Sequence, residues 1–202
     1  MIKLFKNDLP NHLTINEDIA IDTETMGLNL YRDRLCLLQI SNSKGNVYVI
    51  KFIDKDYNAP NLKKLLLNDS ITKIFHFARF DLAMIKIHLN ITLNNIFCTK
   101  IASKLVRTYS DHHGLKKLCD EFLNVNLSKQ EQSSYWGGDK ISDDQLKYAA
   151  SDVLYLHQLR DILIKMLKTE SRYDIAKDYF SFLNKIVELD ILGFEASQIF
   201  EH

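Results

Sequence analysis

Net charge is the first thing this sequence lacks, because 26 lysine and arginine residues balance 26 aspartate and glutamate residues. A neutral chain does not have the broad cationic surface of a protein that binds long duplexes, although a local basic rim would suffice for a substrate with few phosphates. The two prolines and six glycines are dispersed, so no linker is marked within the 202 residues. The length and the 46% hydrophobic content predict a single domain, residues 1–202, with a sizeable core.

Cysteines and long apolar runs are also scarce. Cys36, Cys98 and Cys119 form no CxxC pair and lie in apolar-patterned segments, which predicts buried free thiols in a reducing cytosol. No run approaches membrane-spanning length, and the first ten residues lack the apolar segment of a signal peptide. We therefore expect a cytoplasmic protein without a membrane partner.

The hydrophobic period changes from strand-like to helical along the chain. Strands are predicted at residues 19–24, 35–41, 46–52, 72–77 and 96–99, and helices at 60–68, 81–89, about 142–168 and about 171–192. A meander followed by alternating helices and strands predicts an α/β fold with a mixed five-stranded sheet flanked by helices. The C-terminal helical segment, 171–202, is apolar on more than one face, so part of it could contact another subunit.

Two acidic residues lie close together in the segment AIDTET, which forms the first predicted strand. Asp22 and Glu24 are two positions apart, and such residues point to the same face of a sheet. Side-by-side carboxylates repel each other unless a cation lies between them. Hard oxygen ligands suit magnesium or manganese, so the pair indicates a metal site, although a solvated strand end is an equally good interpretation of so short a pattern.

Three more residues carry weaker signals. Asp81 follows an apolar strand and opens a helix, where a carboxylate can also be an ordinary N-terminal helix charge. Tyr148 and Asp152 are four residues apart in YAASD and therefore share one helix face. Asp152 projects from a largely apolar helix and needs a partner, whereas Tyr148 alone is compatible with a core position.

The joint order of these motifs resembles the DEDDy family of 3′→5′ exonucleases. The segments DTETMGL, FHFARFD and YAASDVLYLHQL are similar to those of ribonuclease D-like enzymes. Lys147 stands where a sister group carries a histidine base, which favours the tyrosine subtype. The resemblance implies a ribonuclease H-like fold and two Mg²⁺ or Mn²⁺ ions bound by four acids, Asp22, Glu24, Asp81 and Asp152. It also implies that Tyr148 hydrogen-bonds the attacking water.

Two further segments, RTYSDHHGLKKLCDEFL and LSKQEQSSYWG, resemble the short nano-RNase C group. That resemblance implies short single-stranded RNA substrates, including dinucleotides, and a ring-like homo-oligomer. Residues 100–117 hold five lysines or arginines and one aspartate, which indicates either a phosphate-binding surface or a solvated helix face. Trp136 could stack on a base or pack in the core. The expected substrate-binding residues are Thr25, Met26, Gly27, Leu28, His76, Arg107, Tyr109, Ser133, Ser134 and Trp136.

Other functions fit the same residues less well. A ribonuclease D-like enzyme would act on longer structured RNA, and a related exonuclease would act on DNA. An RNase H-like endonuclease or integrase would share acids on similar strands, but Y-x-x-x-D is typical of the exonucleases. An inactive nucleic-acid-binding module would not need all four acids together with Tyr148.

Overall fold

A six-stranded mixed sheet flanked by helices forms the protein, in a computed structural model that describes residues 1–128, 130–131, 133–194 and 199. The strands are β1 (Ile2–Lys6), β2 (Ile19–Thr25), β3 (Leu35–Asn42), β4 (Val47–Lys51), β5 (Lys73–Phe75) and β6 (Ile96–Cys98). The helices are α1 (Pro60–Leu66), α2 (Ala78–Leu89), α3 (Thr99–Val106), α4 (Leu115–Leu123), α5 (Asp143–Leu154), α6 (Leu156–Thr169) and α7 (Tyr173–Ile191). The α/β class and the mixed sheet are therefore confirmed.

The strand order is β1-β4-β3-β2-β5-β6. Strands β2, β3 and β4 form the predicted antiparallel meander, whereas β1, β5 and β6 each join a neighbour in parallel. Every residue of β3 is buried, as expected for a central strand covered by helices on both faces. The meander therefore forms the rigid centre of the domain, and the ends of its strands position the site.

The prediction of five strands was wrong, because it omitted β1 at one edge of the sheet. The sequence IKLFK contains three apolar and two basic residues, but all of its residues except Phe5 are exposed. An edge strand that pairs on one side only carries a weak hydrophobic signal, and this one is five residues long. Its lysines also suit an edge that must not pair with another chain.

The long helix predicted from about residue 142 to 168 is two helices that meet at Tyr155. The predicted capping box at the start of α5 is present, because Ser142 Oγ accepts from the Gln145 amide at 3.1 Å and Gln145 Oε1 accepts from the Ser142 amide at 3.0 Å. Helix α7 follows the predicted course, while residues 195–198 and 200–202 of the predicted C-terminal segment lie outside the described residues.

Helix α5 packs across β2, β3 and β4 and so faces the acidic end of β2. The hydroxyl of Ser41 on β3 donates to the carbonyl of Val153 at 2.8 Å, which fixes the height of α5 above the sheet. The three cysteines are buried and free, as predicted. Across the described ranges, no helix is both long enough and apolar enough to cross a membrane.

Candidate active site

Four acids converge where α5 crosses the end of β2. Carboxylate oxygens of Asp22, Glu24 and Asp152 all lie within 4.8 Å of one another. Asp81, on the first turns of α2, is buried, and its Oδ1 accepts from the Thr23 amide at 3.1 Å and from the Thr23 hydroxyl at 2.5 Å. These two bonds tie α2 to β2 between Asp22 and Glu24. We call these four residues the carboxylate cluster.

The carboxylate cluster is electrostatically uncompensated. Burial, followed by the charges of neighbouring acids, raises the pKa of Asp22 well above its usual range and that of Glu24 to about 9. Burial also raises the pKa of Asp81 to about 7 and that of Asp152 to about 6, although hydrogen bonds from Thr23 and Tyr148 act in the opposite direction. Within the described residues, no lysine or arginine forms an ion pair with any of the four.

This donor set fits a divalent cation. Several closely spaced carboxylates that are largely removed from water cannot all ionise without a positive charge between them. Their oxygens are the hard ligands that magnesium and manganese prefer. The residues present can therefore hold a divalent metal, and the burial that raises their pKa values would be offset by its charge.

Gln39 completes the surroundings of Asp22, and the sequence interpretation missed it. The cross-strand register places Gln39 on β3 opposite Asp22 on β2, and its Nε2 donates to Asp22 Oδ2 at 2.9 Å. Gln39 is fully buried, and its Oε1 has no partner in the described part of the chain. The available signal was a lone amide inside the apolar run LCLLQIS, because a buried amide needs a hydrogen-bond partner.

Tyr148 lies one helical turn from Asp152 and lines the same cavity. Burial, followed by the negative charges of Asp152 and Glu24, raises the pKa of its hydroxyl above the usual value. The phenol therefore keeps its proton across the physiological range and acts as a hydrogen-bond donor. Its ring packs beside Trp136 at a centroid distance of 6.1 Å, and Trp136 is only 4% exposed. Trp136 thus packs against Tyr148 and also lines the cavity, and its stacking on a base stays a prediction.

A cavity of about 910 Å³ opens over the carboxylate cluster. It brings together eight of the ten predicted substrate-binding residues, namely Thr25, Met26, Gly27, Leu28, His76, Ser133, Ser134 and Trp136. Leu28 is among these lining residues and is 83% exposed.

The loop that carries Leu28 is fixed by short-range contacts. Thr25 Oγ1 donates to the Gly27 carbonyl at 2.6 Å, and the Asn29 amide donates to Asp33 Oδ2 at 3.0 Å. A Cβ at Gly27 would lie 2.3 Å from the same Asp33 oxygen, so this close approach requires glycine. These contacts fix the conformation of the loop and therefore the position of Leu28 at the cavity.

His76 enters the cavity as an uncharged ring. Burial, together with the nearby charge of Lys100, lowers its pKa to about 3. Its Nδ1 lies 2.9 Å from the Thr99 hydroxyl, which itself donates to the carbonyl of Phe75. Thr99 therefore accepts from Nδ1, and Nε2 is left as a hydrogen-bond acceptor.

The structure does not bring Arg107 and Tyr109 into this cavity. Arg107 is 1% exposed and forms an ion pair with Glu121, and its Nη1 donates to the His112 carbonyl at 2.6 Å. Tyr109 lies beside the same ion pair, with its hydroxyl 3.4 Å from Glu121. The positive charge at the cavity comes instead from three other residues of the basic stretch 100–117, namely Lys100, Lys116 and Lys117.

Comparison with known proteins agrees with this geometry. A sequence profile described as 3′-5′ exonuclease matches residues 5–168. Ribonuclease D of Gluconacetobacter diazotrophicus is 29% identical over 161 residues, which are 79% of this chain and 40% of the relative. The chain thus spans about two fifths of the length of the curated ribonuclease D relatives that it matches.

Two solved structures of Brucella melitensis NrnC match over nearly their whole length. NrnC bound to pGG is 50% identical with a TM-score of 0.93, and NrnC with bound Mg²⁺ is 49% identical with a TM-score of 0.92. In both cases the match covers 100% of this chain and 98% of the other. The profile match, the sheet and its helices together show that this chain belongs to the 3′-5′ exonuclease family, with its ribonuclease H-like fold.

Proposed function

We propose that this protein is a two-metal-dependent 3′→5′ exoribonuclease that hydrolyses short single-stranded RNA to nucleoside 5′-monophosphates. The observation that carries the proposal is the carboxylate cluster, whose acids have no ion-pair partner in the described part of the chain and line a cavity that also includes Leu28. Membership of the 3′-5′ exonuclease family supports the reaction type. The ribonuclease D and NrnC relatives support RNA as the substrate.

The carboxylate cluster supplies the ligands for two Mg²⁺ or Mn²⁺ ions. When bound, such a pair lowers the pKa of an attacking water and stabilises the charge that develops on the phosphate. Asp22 and Glu24 approach from β2, Asp152 from α5 and Asp81 from α2, so three separate elements hold the oxygens in place. Gln39 holds Asp22 in one orientation through its 2.9 Å hydrogen bond.

Tyr148 orients the attacking water without removing its proton. The pKa of its hydroxyl is raised by burial and by neighbouring carboxylates, so the phenolate is disfavoured. A protonated hydroxyl can donate to a carboxylate and accept from a water at the same time. This role explains why a tyrosine one turn before Asp152 is useful to the reaction.

The cavity suits a small substrate. NrnC, which is 50% identical, has been solved with pGG, a ligand of two guanosines behind a phosphate. Leu28 projects from its loop where an apolar side chain can separate two bases, and Lys100, Lys116 and Lys117 provide charge for phosphates. Neutral His76 offers Nε2 as an acceptor for a ribose hydroxyl, which DNA lacks at the 2′ position.

The protein works as a homo-oligomer, in which α7 contributes to the contact. Ile175, Tyr179 and Phe182 lie at i, i+4 and i+7 of α7 and are all exposed. A continuous apolar stripe of this kind is typical of a protein–protein contact. A ring of identical subunits fits the resemblance to the nano-RNase C group, and light scattering on the purified chain measures the subunit number. The free buried thiols agree with a reducing cytoplasm.

A timed digestion tests the proposed function. A two-nucleotide and a twenty-nucleotide RNA, both end-labelled, are incubated with the chain in magnesium, with EDTA and the Asp22→Asn variant as controls. We expect mononucleotide products from the 3′ end, faster turnover of the dinucleotide, and no products in either control. Faster degradation of the longer RNA, or of a matched DNA, would instead indicate a ribonuclease D-like or DNA-directed exonuclease. Binding without products in magnesium would indicate an inactive nucleic-acid-binding module.

A further inference from the structure

A second polar cavity, of about 320 Å³, lies beside the carboxylate cluster and takes no part in the proposed reaction. Its lining includes Arg34 and Lys51. Lys51 is only 5% exposed, yet its side chain forms neither a hydrogen bond nor an ion pair within the described residues. Nη1 of Arg34 is likewise buried and without a hydrogen-bond partner there. We call this cavity the cation pocket.

The cation pocket contains two basic side chains without an ion-pair partner among the described residues, which needs an explanation. The Lys51 ammonium and Nη1 of Arg34 lose hydration without gaining a hydrogen bond in return, although Nη2 of Arg34 keeps one, to Gly137. Burial lowers the pKa of Lys51, and Arg34 lowers it as well, while Cys36 and Asp139 act in the opposite direction. The acids at the cavity, Asp54 and Asp139, are exposed residues at its mouth and form no ion pair with Lys51.

The cation pocket and the carboxylate cluster share one face of the sheet. Lys51 pairs with Leu37, which pairs in turn with Glu24, so the three side chains project from the same face. Two strand spacings separate Lys51 from Glu24, a distance of about 10 Å. The cation pocket is therefore a neighbour of the proposed active site, with separate lining residues.

Arg34 connects the two cavities. Its Nη2 donates to the carbonyl of Gly137 at 2.9 Å, and its own carbonyl accepts from the Met26 amide at 3.1 Å. Met26 and Trp136, the neighbour of Gly137, both line the cavity over the carboxylate cluster. A ligand bound to Arg34 would therefore contact a residue that is hydrogen-bonded to two segments of the proposed active site, one at Met26 and one at Gly137.

We infer that the cation pocket is an anion-binding site for a phosphate monoester. Neither Arg34 nor Lys51 forms an ion pair among the described residues, so a doubly charged anion would balance both charges. A phosphate monoester carries about −1.5 to −2 at neutral pH, whereas a carboxylate carries one charge. The monoester oxygens can accept from the free Nη1 of Arg34 and from Nζ of Lys51 at once. Two sources supply this group, the 5′ phosphate of an oligonucleotide and a free nucleoside monophosphate.

Calorimetric titration in EDTA tests the inference without metal and without hydrolysis. Inorganic phosphate, guanosine monophosphate, and a dinucleotide with and without a 5′ phosphate are titrated into the full chain. Lys51→Met removes the charge and keeps the length, Lys51→Arg keeps the charge, and Lys165→Met changes an exposed lysine far along α6 as the control. Arg34 is left intact, because it also holds Gly137.

We expect phosphate and at least one phosphorylated nucleotide to bind the wild type, and Lys51→Met to weaken that binding by roughly 10- to 100-fold. Lys51→Arg and Lys165→Met should bind nearly as the wild type does. If Lys51→Met weakens the binding of the 5′-phosphorylated dinucleotide but not of guanosine monophosphate, the cation pocket holds the 5′ end of the substrate. If guanosine monophosphate loses affinity too, it holds a free mononucleotide.

Removal of an unpaired buried charge should leave the fold intact, so Lys51→Met is expected to melt at or above the wild-type temperature. The inference is overturned if no phosphate compound binds the wild type, or if folded Lys51→Met binds all of them with unchanged affinity. Because no metal and no turnover enter the measurement, either result leaves the proposed exonuclease function standing.

Discussion

Two buried charged regions of this molecule differ in whether their charge is compensated. Arg107 is as buried as any residue in the core, but Glu121, Ser103 and the carbonyl of His112 surround its guanidinium. In the carboxylate cluster Asp81 is buried and the other three acids are partly buried. None of the four forms an ion pair with a lysine or arginine of the described residues, and burial raises the pKa of each. The comparison teaches that burial of charge does not by itself mark a functional site. A group of like charges without an ion-pair partner does mark such a site, because an external ion or substrate must then supply the opposite charge.

The largest expected effect comes from removal of one uncompensated charge. Asp22→Asn, Glu24→Gln, Asp81→Asn and Asp152→Asn should each reduce kcat by roughly 10⁴-fold, the scale of losing an essential catalytic group. Each should also raise the melting temperature of the metal-free protein, because like-charge repulsion is relieved. Steady-state rates and thermal melts measure both effects. The exposed Asp178→Asn is the control, and an active-site variant with wild-type turnover would contradict the comparison.

Tyr148→Phe sharpens the comparison, because it removes a hydroxyl and no charge. We expect kcat to fall by ~10²–10⁴-fold while calcium binding stays unchanged. Single-turnover kinetics together with calcium titration separate the two effects, and Tyr155→Phe, at the junction of α5 and α6, serves as the matched control. A wild-type rate in Tyr148→Phe would assign Tyr148 to the core.

Leu28→Ala tests the apolar rim of the cavity. The loss of a base contact should weaken dinucleotide binding by about 1–3 kcal/mol in calcium, where binding can be measured without hydrolysis. Leu67→Ala changes an exposed leucine outside the cavity and should leave binding unchanged. Equal affinities of Leu28→Ala and the wild type would remove Leu28 from the substrate site.

The smallest effect on catalysis is expected at Arg107, whose charge is paired with that of Glu121. Arg107→Met should lower the free energy of unfolding by about 1–3 kcal/mol, since hydrogen bonds to Ser103, His112 and Glu121 are lost. The kcat of the folded variant should be unchanged, whereas Lys116→Met at the cavity should raise KM. Denaturant unfolding and steady-state kinetics provide the two values. A reduced kcat in folded Arg107→Met would mean that Arg107 acts on the substrate after all.

The sequence was sufficient to predict what depends on local spacing. Asp22 and Glu24 share a face because they are two apart on a strand, and Tyr148 and Asp152 share one because they are four apart on a helix. The capping box of α5 and the meander follow from equally local patterns. Roles for these residues in catalysis stay predictions until the variants are measured.

What depends on tertiary register could not be predicted. Gln39 meets Asp22 only because of the pairing between β2 and β3, and Thr23 meets Asp81 only because α2 packs against β2. The basic stretch 100–117 indicated either a phosphate-binding surface or a solvated helix face, but Arg107 is turned inward while Lys116 lines the cavity. Strand β1 was missed because an exposed edge buries too little apolar surface to produce a clear pattern.

Calcium binding as a function of pH measures whether the carboxylate cluster holds divalent metal ions. Burial raises the pKa of these acids in the folded chain, so their contribution to the stability of the metal-free fold is fully present only below about pH 4, their pKa in the unfolded chain. That stability is lost as the pH rises through the folded values of about 6, 7 and 9 for Asp152, Asp81 and Glu24. A cation must displace those protons, so calorimetry should find two calcium ions per chain, proton release on binding and tighter binding at pH 9 than at pH 6. Asp22→Asn should lose this binding. No calcium binding by the wild type, or binding that is independent of pH and unchanged in Asp22→Asn, would contradict the account.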